Sequence, residues 1–496
     1  MNHHASIGKD EHPWNQLIKL DPSSGVSLQI QIRRAFVAAI LDKRLLPGTA
    51  LPSSRVLAAH LNIARNTVNA AFRQLVEDGF ITALPRSGYR VASATNEAPE
   101  KSKKTPTIED GPRWSARIGS RYSTMRNISK PADWHRYPYN FIYGQPDPSL
   151  FPINNWRECS RAALAVLAIR DWTVDMIDGD DVEFIEQLQR RVLPRRGIFA
   201  ATDQIMITVG TQNALYILTE LLISSRSVVG VEDPGYPDAR NLFELRGAAI
   251  QPLPVGPEGV EVADIKGCDV VYLTPSHQCP TSVTMSLARR QELLNAAVQN
   301  DILIIEDDYD SEVTFTETAL PAMKSFDNTG NVIYLGSLSK TLAPGLRIGF
   351  MVGSADLIAE ARVLRRLMLR HPPANNQRAA ALFISLGHYD TLLRRTKKSL
   401  TERANILTDS MKTYMPGLDF HPIQGGSSAW VKGEDRLDTS RLAQMARDEG
   451  ILIEPGELFF HRPQLPCPYF RLGLSSIKIE AIREGIKRFS KLFDKI

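Results

Sequence analysis

The chain has 496 residues, enough for two or three domains, and its 43% hydrophobic and 23% charged residues are ordinary for a globular protein. No apolar run reaches the roughly 18 residues of a membrane-spanning helix, and the N-terminus lacks the apolar segment of a secretory signal. The four cysteines form no C-x-x-C pair, which argues against a zinc site or a disulfide framework and favours a reducing cytoplasm.

Charge is distributed unevenly along the chain. Residues 27–92 carry nine arginines and lysines against three acids, a net charge of +6, although the whole chain carries only +4. The rest of the chain is therefore slightly acidic, at −2. A small basic segment on a near-neutral body predicts a localised polyanionic partner.

The basic segment has the pattern of three helices followed by a hairpin. Apolar residues at helical spacing predict a first helix within residues 27–44, and Ser53 is placed to cap a second one. A third helix is predicted over 65–78, and β-type runs around a turn predict a hairpin over 80–91. Together these elements make a winged helix-turn-helix, which is mostly α with a β wing.

Polar side chains at the helix starts and in the wing are placed to contact double-stranded DNA. The start of the third helix is where a recognition helix enters the major groove, and the wing can reach a phosphate or the minor groove. The alternative is a winged fold used for protein contacts, with its charges only solvated. The predicted DNA-binding residues are Arg55, Arg65, Asn66, Thr67, Arg86 and Gly88.

A polar, proline-punctuated stretch separates the basic segment from the rest of the chain. Residues 96–112 have no apolar periodicity and are expected to form a flexible linker. We therefore predict a DNA-binding domain over 14–92, a linker over 93–133 and a large domain over 134–496.

In the large domain, apolar β-type runs alternate with long helical patterns. This alternation predicts an α/β domain with a mostly parallel sheet and helices on both faces, and the last hundred or so residues predict a smaller α+β subdomain. The predicted strands are 205–208, 228–232, 270–273, 302–305, 332–335 and 348–352.

The most specific motif of the large domain is GSLSK, which ends in Lys340 and is followed seven positions later by Arg347. An apolar strand leads into this loop of small residues. The lysine amine can form a Schiff base with the aldehyde of pyridoxal 5'-phosphate, and the guanidinium can bind the phosphate bidentately. A lone lysine is usually a surface charge, but the neighbours at fixed offsets argue against that alternative here.

Three successive carboxylates follow the predicted strand 302–305. Glu306, Asp307 and Asp308 would repel one another without a cation, and the protonated ring nitrogen of the same cofactor is such a cation. We favour Asp307 as its partner, with Asp308 or Glu306 as alternatives. The next residue, Tyr309, can hydrogen-bond the phenolic oxygen of the ring. A solvated acidic loop is the competing interpretation.

Three other groups of residues, in or just after predicted strands, fit the same site less specifically. Gly210, Thr211 and Gln212 follow a predicted strand and start a helix, whose amides suit a phosphate, although a plain turn explains them equally well. Tyr236 can stack on the pyridine ring or belong to the core. Arg471 lies within an apolar strand and requires an anion, which is either a ligand carboxylate or an internal salt-bridge partner.

The motifs LPSSR at 51–55, ARNTV at 64–68 and GYRV at 88–91 resemble the GntR-type operator-binding domain. Ala64 departs from that family, which usually has a serine capping the recognition helix, and the lost cap costs about 1 kcal/mol. The large domain resembles the class I aminotransferase fold, fold type I of pyridoxal phosphate enzymes. The runs TPSHQCPT at 274–281 and EDDYDSE at 306–312 narrow the resemblance to the MocR/GabR family of transcription regulators.

This resemblance implies a DNA-binding regulator that senses an amino compound by forming an external aldimine at Lys340. It implies that Arg471 receives the effector's carboxylate, and that a head-to-tail homodimer binds an operator with repeated half-sites. The residues expected to bind the cofactor are Lys340, Asp307, Tyr309, Tyr236, Gly210, Thr211, Gln212, Ser337, Ser339 and Arg347.

Some positions depart from the family pattern. Asp238 stands where the GABA-sensing relatives carry an arginine, so we expect it to repel a second carboxylate and to favour an amine or a basic effector. Residues 175–180 lack the tyrosine that usually reaches the partner subunit's cofactor. We expect at most a slow half-transamination. The alternative function is a catalytically active aminotransferase with an accessory DNA-binding head.

Overall fold

No helix in the part of the chain that the structure describes is long and apolar enough to cross a membrane. This part divides into a small unit that ends at Gly119 and a large unit that begins at Ser120. The computed structural model describes residues 14, 17–84, 88–92, 114–119, 122–144, 146–165, 169–170, 172–310, 312, 314–315, 319–420, 423, 425–493 and 495.

The small unit contains the predicted winged helix-turn-helix. Its elements are α1 (Leu28–Leu41), β1 (Ala50–Leu51), α2 (Ser54–His60), α3 (Arg65–Glu77), β2 (Ile81–Leu84), β3 (Gly88–Val91) and a short α4 (Trp114–Arg117). The strands form an antiparallel sheet in the order β1-β3-β2. The hydroxyls of Ser27 and Ser53 cap α1 and α2 by accepting from the amides of Ile30 and Val56. Ala64 precedes α3 and makes no side-chain cap.

The core of the small unit lies between its helices and its wing. Phe36 of α1 and Phe72 of α3 are fully buried, and their ring centroids lie 5.5 Å apart. Tyr89 of β3 packs edge-on against Phe72 at 4.8 Å. Burial of each such ring stabilises the fold by about 1.5–3 kcal/mol. The wing turn at 85–87, and with it the predicted Arg86, lies outside the described residues.

The predicted linker, residues 93–133, needs a correction at its C-terminal side. Residues 93–113 lie outside the described residues, but the last part of the segment bonds to the large unit. The Arg126 guanidinium donates to the His461 carbonyl at 2.7 Å, and the Lys130 ammonium donates to a backbone carbonyl at 2.6 Å. The large unit therefore begins 14 residues earlier than predicted.

The large unit alternates strands and helices. Its strands are β4 (Tyr139–Asn140), β5 (Ile205–Thr208), β6 (Val228–Asp233), β7 (Ala249–Gly256), β8 (Gly259–Val260), β9 (Val270–Leu273), β10 (Leu303–Asp308), β11 (Val332–Ser337), β12 (Gly349–Val352), β13 (Asp419–Phe420), β14 (Ser428–Lys432), β15 (Ile451–Leu452), β16 (Glu454–Pro455) and β17 (Tyr469–Gly473). Its α-helices are α5 (Ile153–Ala163), α6 (Val182–Gln187), α7 (Thr211–Leu222), α8 (Pro237–Leu245), α9 (Leu287–Gln299), α10 (Ala355–Leu369), α11 (Ala374–Ser385), α12 (His388–Tyr414), α13 (Thr439–Asp448) and α14 (Ile479–Phe493).

The main sheet has eight strands in the order β5-β12-β11-β10-β9-β6-β7-β8. The neighbours from β11 to β7 pair in parallel, which confirms the predicted mostly parallel sheet. Strand β12 is antiparallel to both β11 and β5, so β5 runs in the same direction as β11. The carboxyl ends of β5, β6, β9, β10 and β11 therefore meet at one edge, where open α/β sheets bind ligands.

Helices cover both faces of this sheet. Successive residues of each strand point to opposite sides, so the buried strands present apolar side chains to both layers of helices. Ile207 and Phe350 pack with Phe383 of α11 on one face. The neighbouring Met206 packs with Leu215 of α7 on the other. These side chains are almost fully buried, and the two cores fix the strand ends that form the site.

The C-terminal subdomain is α+β, as predicted. Its antiparallel sheet has the order β13-β14-β17-β16 and shares a core with α12, α13 and α14. Strand β4 also belongs to this region, because it pairs in parallel with β15. A segment that precedes the main sheet in sequence is therefore part of the C-terminal subdomain.

Candidate functional site

A cavity of about 210 Å³ lies at the carboxyl edge of the main sheet. It brings together residues from segments that are far apart in sequence, including six of the predicted site residues. These six are Thr211, Tyr236, Asp307, Tyr309, Lys340 and Arg471. The remaining lining residues are Ile128, Lys130, Tyr143, Gly144, Asp238, Tyr272, Cys279 and Glu454.

Lys340 follows β11 and projects its amine into this cavity. Its Nζ lies 4.4 Å from the centroid of the Tyr143 ring, and a Cβ on Gly144 would come within 2.7 Å of it. Any larger residue at position 144 would therefore meet the amine. Burial lowers the pKa of Lys340 to about 8; nearby Lys130 and Arg471 also lower it, while Asp310 opposes the shift. A larger fraction of the amine is thus neutral, and so nucleophilic, than in an exposed lysine.

The three carboxylates of β10 point to alternate sides, as strand geometry requires. Glu306 accepts from the amides of Met323 and Lys324, both at 2.8 Å. Asp308 forms a buried ion pair with Arg196 at 2.7 Å and accepts from a tyrosine hydroxyl. Both carboxylates are therefore engaged on the side away from the cavity. Asp307 alone among the three lines the cavity.

Asp307 has only part of its hydrogen-bonding capacity used. Its Oδ2 accepts from the Tyr272 hydroxyl at 2.8 Å, whereas its Oδ1 is buried and has no partner among the described residues. Burial raises the pKa of Asp307 to about 7. A buried carboxylate oxygen without a donor is costly, and a cationic donor in the cavity would relieve that cost.

A second group of predicted residues forms a cradle at the N-terminus of α7. Gly210 precedes the helix with φ +78°, and a Cβ there would lie 2.9 Å from the Arg347 guanidinium. Arg347 donates to the Val209 carbonyl at 3.2 Å. The amides of Thr211 and Gln212 begin the helix and have no intrahelical acceptor. Helix N-terminus and guanidinium together make an anion site.

The two serines of the GSLSK motif form hydrogen bonds that stabilise the loop that carries Lys340. The Ser337 hydroxyl accepts from the Ser339 amide at 3.2 Å, and the Ser339 hydroxyl donates to the Ile348 carbonyl at 3.4 Å. Neither residue lines the cavity that holds Lys340. The structure thus places them beside the site rather than in its wall.

The predicted aromatic residues also line the cavity, but their hydroxyls have protein partners. Tyr236 donates to Gln212 at 3.1 Å and to Asp238 at 3.0 Å. Tyr309 donates to the His277 carbonyl at 2.8 Å. Gln212 is therefore a partner of Tyr236 in the structure. Asp238 lines the cavity as well, which the sequence left open.

Arg471 combines the two alternatives that the sequence offered. Its Nε donates to Glu454 at 2.7 Å in a buried ion pair, and its Cζ lies 4.3 Å from the centroid of the Tyr143 ring and 4.6 Å from that of the Phe459 ring. Its Nη2 is buried and has no hydrogen-bond partner among the described residues. One donor of a guanidinium that is 1% exposed therefore remains for a ligand.

Several lining residues were not found from the sequence, notably Lys130, Tyr143, Cys279 and Glu454. They reach the cavity through tertiary pairing: Glu454 lies opposite Arg471 on neighbouring strands, for example. Cys279 lies within the TPSHQCPT run, which served only for the family resemblance. No motif surrounds the other three residues, so they gave no local signal.

In the small unit, most of the predicted DNA-binding residues that the structure describes are exposed. Arg55, Arg65 and Asn66 are exposed at the starts of α2 and α3, while Thr67 is half-buried. Gly88 begins β3 with φ +84°, a conformation that favours glycine. The exposed arginines at two helix starts provide donors of the type that phosphates and base edges accept.

Comparison with known proteins identifies both units. The bacterial regulatory proteins of the gntR family match residues 28–91, and aminotransferases of class I and II match residues 168–489. The chain is 40% identical over 475 residues to the HTH-type transcriptional regulator TauR of Rhodobacter capsulatus, covering 95% of this chain and 98% of TauR. The chain belongs to the MocR/GabR family of transcription regulators.

One further sequence relative and one solved structure agree with this assignment. The regulator is 30% identical to the probable rhizopine catabolism regulatory protein MocR of Rhizobium meliloti, over 96% of each chain. Its large unit resembles the kynurenine aminotransferase of Pyrococcus horikoshii, with a TM-score of 0.70 and 27% identity over 77% of this chain and 98% of that one. It is therefore a DNA-binding regulator built on an aminotransferase-like domain.

Proposed function

We propose that this regulator binds pyridoxal 5'-phosphate at Lys340 and changes its DNA binding when an amino compound takes the place of the lysine. The observation that carries the proposal is one cavity lined by both Lys340 and Asp307, whose buried Oδ1 has no hydrogen-bond partner among the described residues. When bound, the cofactor supplies an aldehyde that can exchange one amine for another. A carboxylate that lacks a donor and a lysine amine of lowered pKa in one cavity fit this group.

Residues of the cavity and of the adjoining N-terminus of α7 would hold different parts of the cofactor. Asp307 accepts from the protonated ring nitrogen, because its Oδ1 has no other donor. Gly210, Thr211 and Arg347 hold the phosphate at the N-terminus of α7, where amides and a guanidinium converge. Tyr236 and Tyr309 line the cavity, where Tyr236 would pack against the ring and Tyr309 would lie near its phenolic oxygen.

The effector end of the cavity is formed by Arg471. Its Nη2 receives an anionic group of the effector, while Glu454 keeps the guanidinium in place. Tyr143 lies against both Arg471 and Lys340 and excludes water from the space between them. An effector that bears an amine and an anion would contact both residues. It can shift the protein between two states only through its different affinity for them.

The DNA-binding unit would read an operator with repeated half-sites through a homodimer. Arg55, Arg65, Asn66 and Thr67 face the DNA from the starts of α2 and α3, with Gly88 at the wing. We propose a head-to-tail homodimer in the cytoplasm, where the DNA is. Exposed apolar side chains on the large unit, such as Phe199 at 84% and Leu367 at 80%, support this proposal, because a second copy would remove such side chains from water.

The central experiment is a spectrum of the purified protein with added cofactor. We expect a visible absorption band in the wild type and none in Lys340→Ala. Borohydride treatment followed by peptide mapping should then place a pyridoxyl group on Lys340. A colourless wild type, or an adduct on a different lysine, would refute the proposal. Lys432→Ala, which removes an exposed lysine, should leave the band unchanged.

A further inference from the structure

The cavity contains a third cation that the proposed cofactor chemistry does not use. Lys130 lines the cavity together with Arg471 and Lys340, and it is half-buried. Its Nζ donates to the Tyr143 carbonyl at 2.6 Å and would lie 3.7 Å from a Cβ on Gly144. The same glycine position is the one that Lys340 approaches, so the two ammonium groups flank one point of the backbone.

Lys130 lacks the compensation that buried cations usually have. No carboxylate of the described residues lies within 4 Å of its ammonium, whereas Arg471 has Glu454 at 2.7 Å. Its one protein partner is a neutral carbonyl, which satisfies one of three donors. Burial lowers the pKa of Lys130, with Arg471 acting in the same direction and Glu454 opposing it. An anion in the cavity would relieve this cost.

The position of this anion follows from which charged side chains would still lack a partner once the cofactor is bound. In the proposed effector complex, Asp307 would pair with the ring nitrogen and Arg347 with the phosphate. The Lys340 amine would be released when the effector's amine takes its place, and nearby Asp310 favours its charged form. The charge of Arg471 is already balanced by Glu454, although its Nη2 is free to donate. Lys130 is then the cation without a carboxylate at the effector end.

We propose that Lys130 is a specificity-determining residue that binds the anionic group of the effector together with Arg471 Nη2. This inference rests on the proposed function, and it names the effector class as a primary amine that carries an oxyanion. An oxyanion has enough acceptor positions to take both donors at once.

Lys130 lies close in sequence to the boundary between the two units, so a contact to it acts on the segment that follows the DNA-binding unit. Lys130 ends a segment, Arg126–Lys130 here called the entry segment, that follows the start of the large unit at Ser120. The Arg126 guanidinium is bonded to the carbonyls of Phe460 and His461. Effector binding to Lys130 would therefore add a further contact to this stretch of chain, which follows the DNA-binding unit in sequence and which Arg126 and the Tyr143 carbonyl already fix to the large unit.

The test uses full-length protein loaded with cofactor and four two- or three-carbon amines. These are 3-aminopropanoate, 2-aminoethanesulfonate, 2-aminoethylphosphonate and n-propylamine, which lacks an anion. The change in the cofactor spectrum gives each dissociation constant. In Lys130→Met we expect at least one anionic amine to bind about 10- to 100-fold more weakly, the loss typical of a charge-assisted hydrogen bond, with propylamine unchanged. Lys130→Arg should retain most of the affinity, and Lys432→Met should match the wild type.

Three results would overturn the inference. The first is a wild type that binds propylamine as tightly as every anionic amine. The second is a Lys130→Met protein whose affinity falls equally for all four amines or for the cofactor itself, which would make Lys130 a structural support of the Tyr143 carbonyl. The third is unchanged affinity in that variant. A wild type with no absorption band would instead defeat the proposed function, and the inference with it.

Hydrogen exchange supplies a second measurement that does not depend on the spectrum. Binding of the tightest anionic amine should slow amide exchange in the entry segment of the wild type, because Lys130 gains a partner. The slowing should be absent in Lys130→Met. Equal slowing in both proteins would contradict the contact.

Discussion

Arg471 and Glu454 form a buried ion pair between neighbouring strands, with Nε and Oε2 2.7 Å apart. The pair is nearly inaccessible to solvent, yet Arg471 lines the cavity and its Nη2 has no hydrogen-bond partner among the described residues. The carboxylate thus offsets the charge of an arginine that would otherwise be isolated in the core. The same negative charge repels an anion in the cavity and therefore lowers the affinity for an anionic effector.

Glu454→Gln should therefore destabilise the free protein and increase its response to ligand. An uncompensated buried arginine lowers the free energy of unfolding by about 3–5 kcal/mol. An anionic amine would replace the lost carboxylate, so its stabilising effect should exceed that in the wild type. Thermal unfolding of both proteins, with and without 3-aminopropanoate, measures this difference. Glu484→Gln, at an exposed helical ion pair, should change neither value, and a smaller ligand effect in Glu454→Gln would contradict the argument.

The choice among the three carboxylates of β10 gives a second prediction. Asp307→Asn should weaken cofactor binding tenfold or more, because a charge-assisted hydrogen bond to the ring nitrogen contributes about 1.5–3 kcal/mol. The fold should be little affected, since an amide can still accept from Tyr272. Cofactor titration and thermal unfolding separate the two effects.

Asp308→Asn should show the opposite pattern. It leaves Arg196, which is 5% exposed, without its ion-pair partner, so the unfolding free energy should fall by about 3–5 kcal/mol. Cofactor affinity measured on the folded fraction should stay near the wild-type value. If Asp308→Asn instead abolished cofactor binding in a stable protein, the assignment to Asp307 would be wrong.

The lowered pKa of Lys340 predicts how cofactor capture depends on pH. A pKa of about 8 means that the reactive neutral amine is lost as pH falls through 8, and is nearly fully present above 9. The capture rate of the cofactor-free protein should therefore rise about fivefold between pH 7 and 8 and then level off. Stopped-flow absorbance measures it. A rate that still climbs steeply up to pH 10 would indicate an unperturbed lysine.

Asp310 provides a control for this titration. Its carboxylate favours the charged form of Lys340, so Asp310→Asn should move the midpoint of the rate profile to lower pH. Lys130→Met should move it to higher pH, because that ammonium disfavours a second positive charge nearby. Shifts of the same sign in both variants would contradict the electrostatic explanation.

The sequence predicted the parts of the site that have local patterns. Strands 205–208 and 270–273 agree residue for residue with the structure, since apolar runs bounded by turns mark buried strands. Lys340 was found because its loop has small residues and an arginine at fixed offsets. The face to which Asp307 points could not be decided, because alternation along a strand separates it from its neighbours without saying which side holds the cavity.

The parts that the sequence missed depend on contacts between distant segments. Lys130 fell within the predicted linker, residues 93–133, but its ammonium donates to the Tyr143 carbonyl and the residue lines the cavity. Glu454 has no motif, and only the pairing of β16 with β17 brings it to Arg471. Such pairs form when long-range packing chooses the register, which composition and periodicity do not encode.

In the DNA-binding unit, Arg65→Ala should weaken binding to a selected operator by about 1–3 kcal/mol if the exposed guanidinium reads a base edge. Competition with unrelated DNA measures the specific part. Arg73→Ala removes an exposed charge farther along α3 and serves as the matched control. An equal loss on operator and unrelated DNA would show that Arg65 contacts phosphate only.

The N-terminus of the recognition helix offers a gain of stability. Ala64 precedes α3 with extended backbone angles, φ −66° and ψ 136°, but has no side-chain oxygen to accept from the first-turn amides. Because the backbone is already in the capping conformation, Ala64→Ser should stabilise the small unit by about 1 kcal/mol. Slower amide exchange in the first turn of α3 and a higher midpoint of thermal unfolding would show it. Ala64→Val, which adds bulk without an acceptor, should bring no gain, and equal stabilisation by both would mean that capping is not the cause.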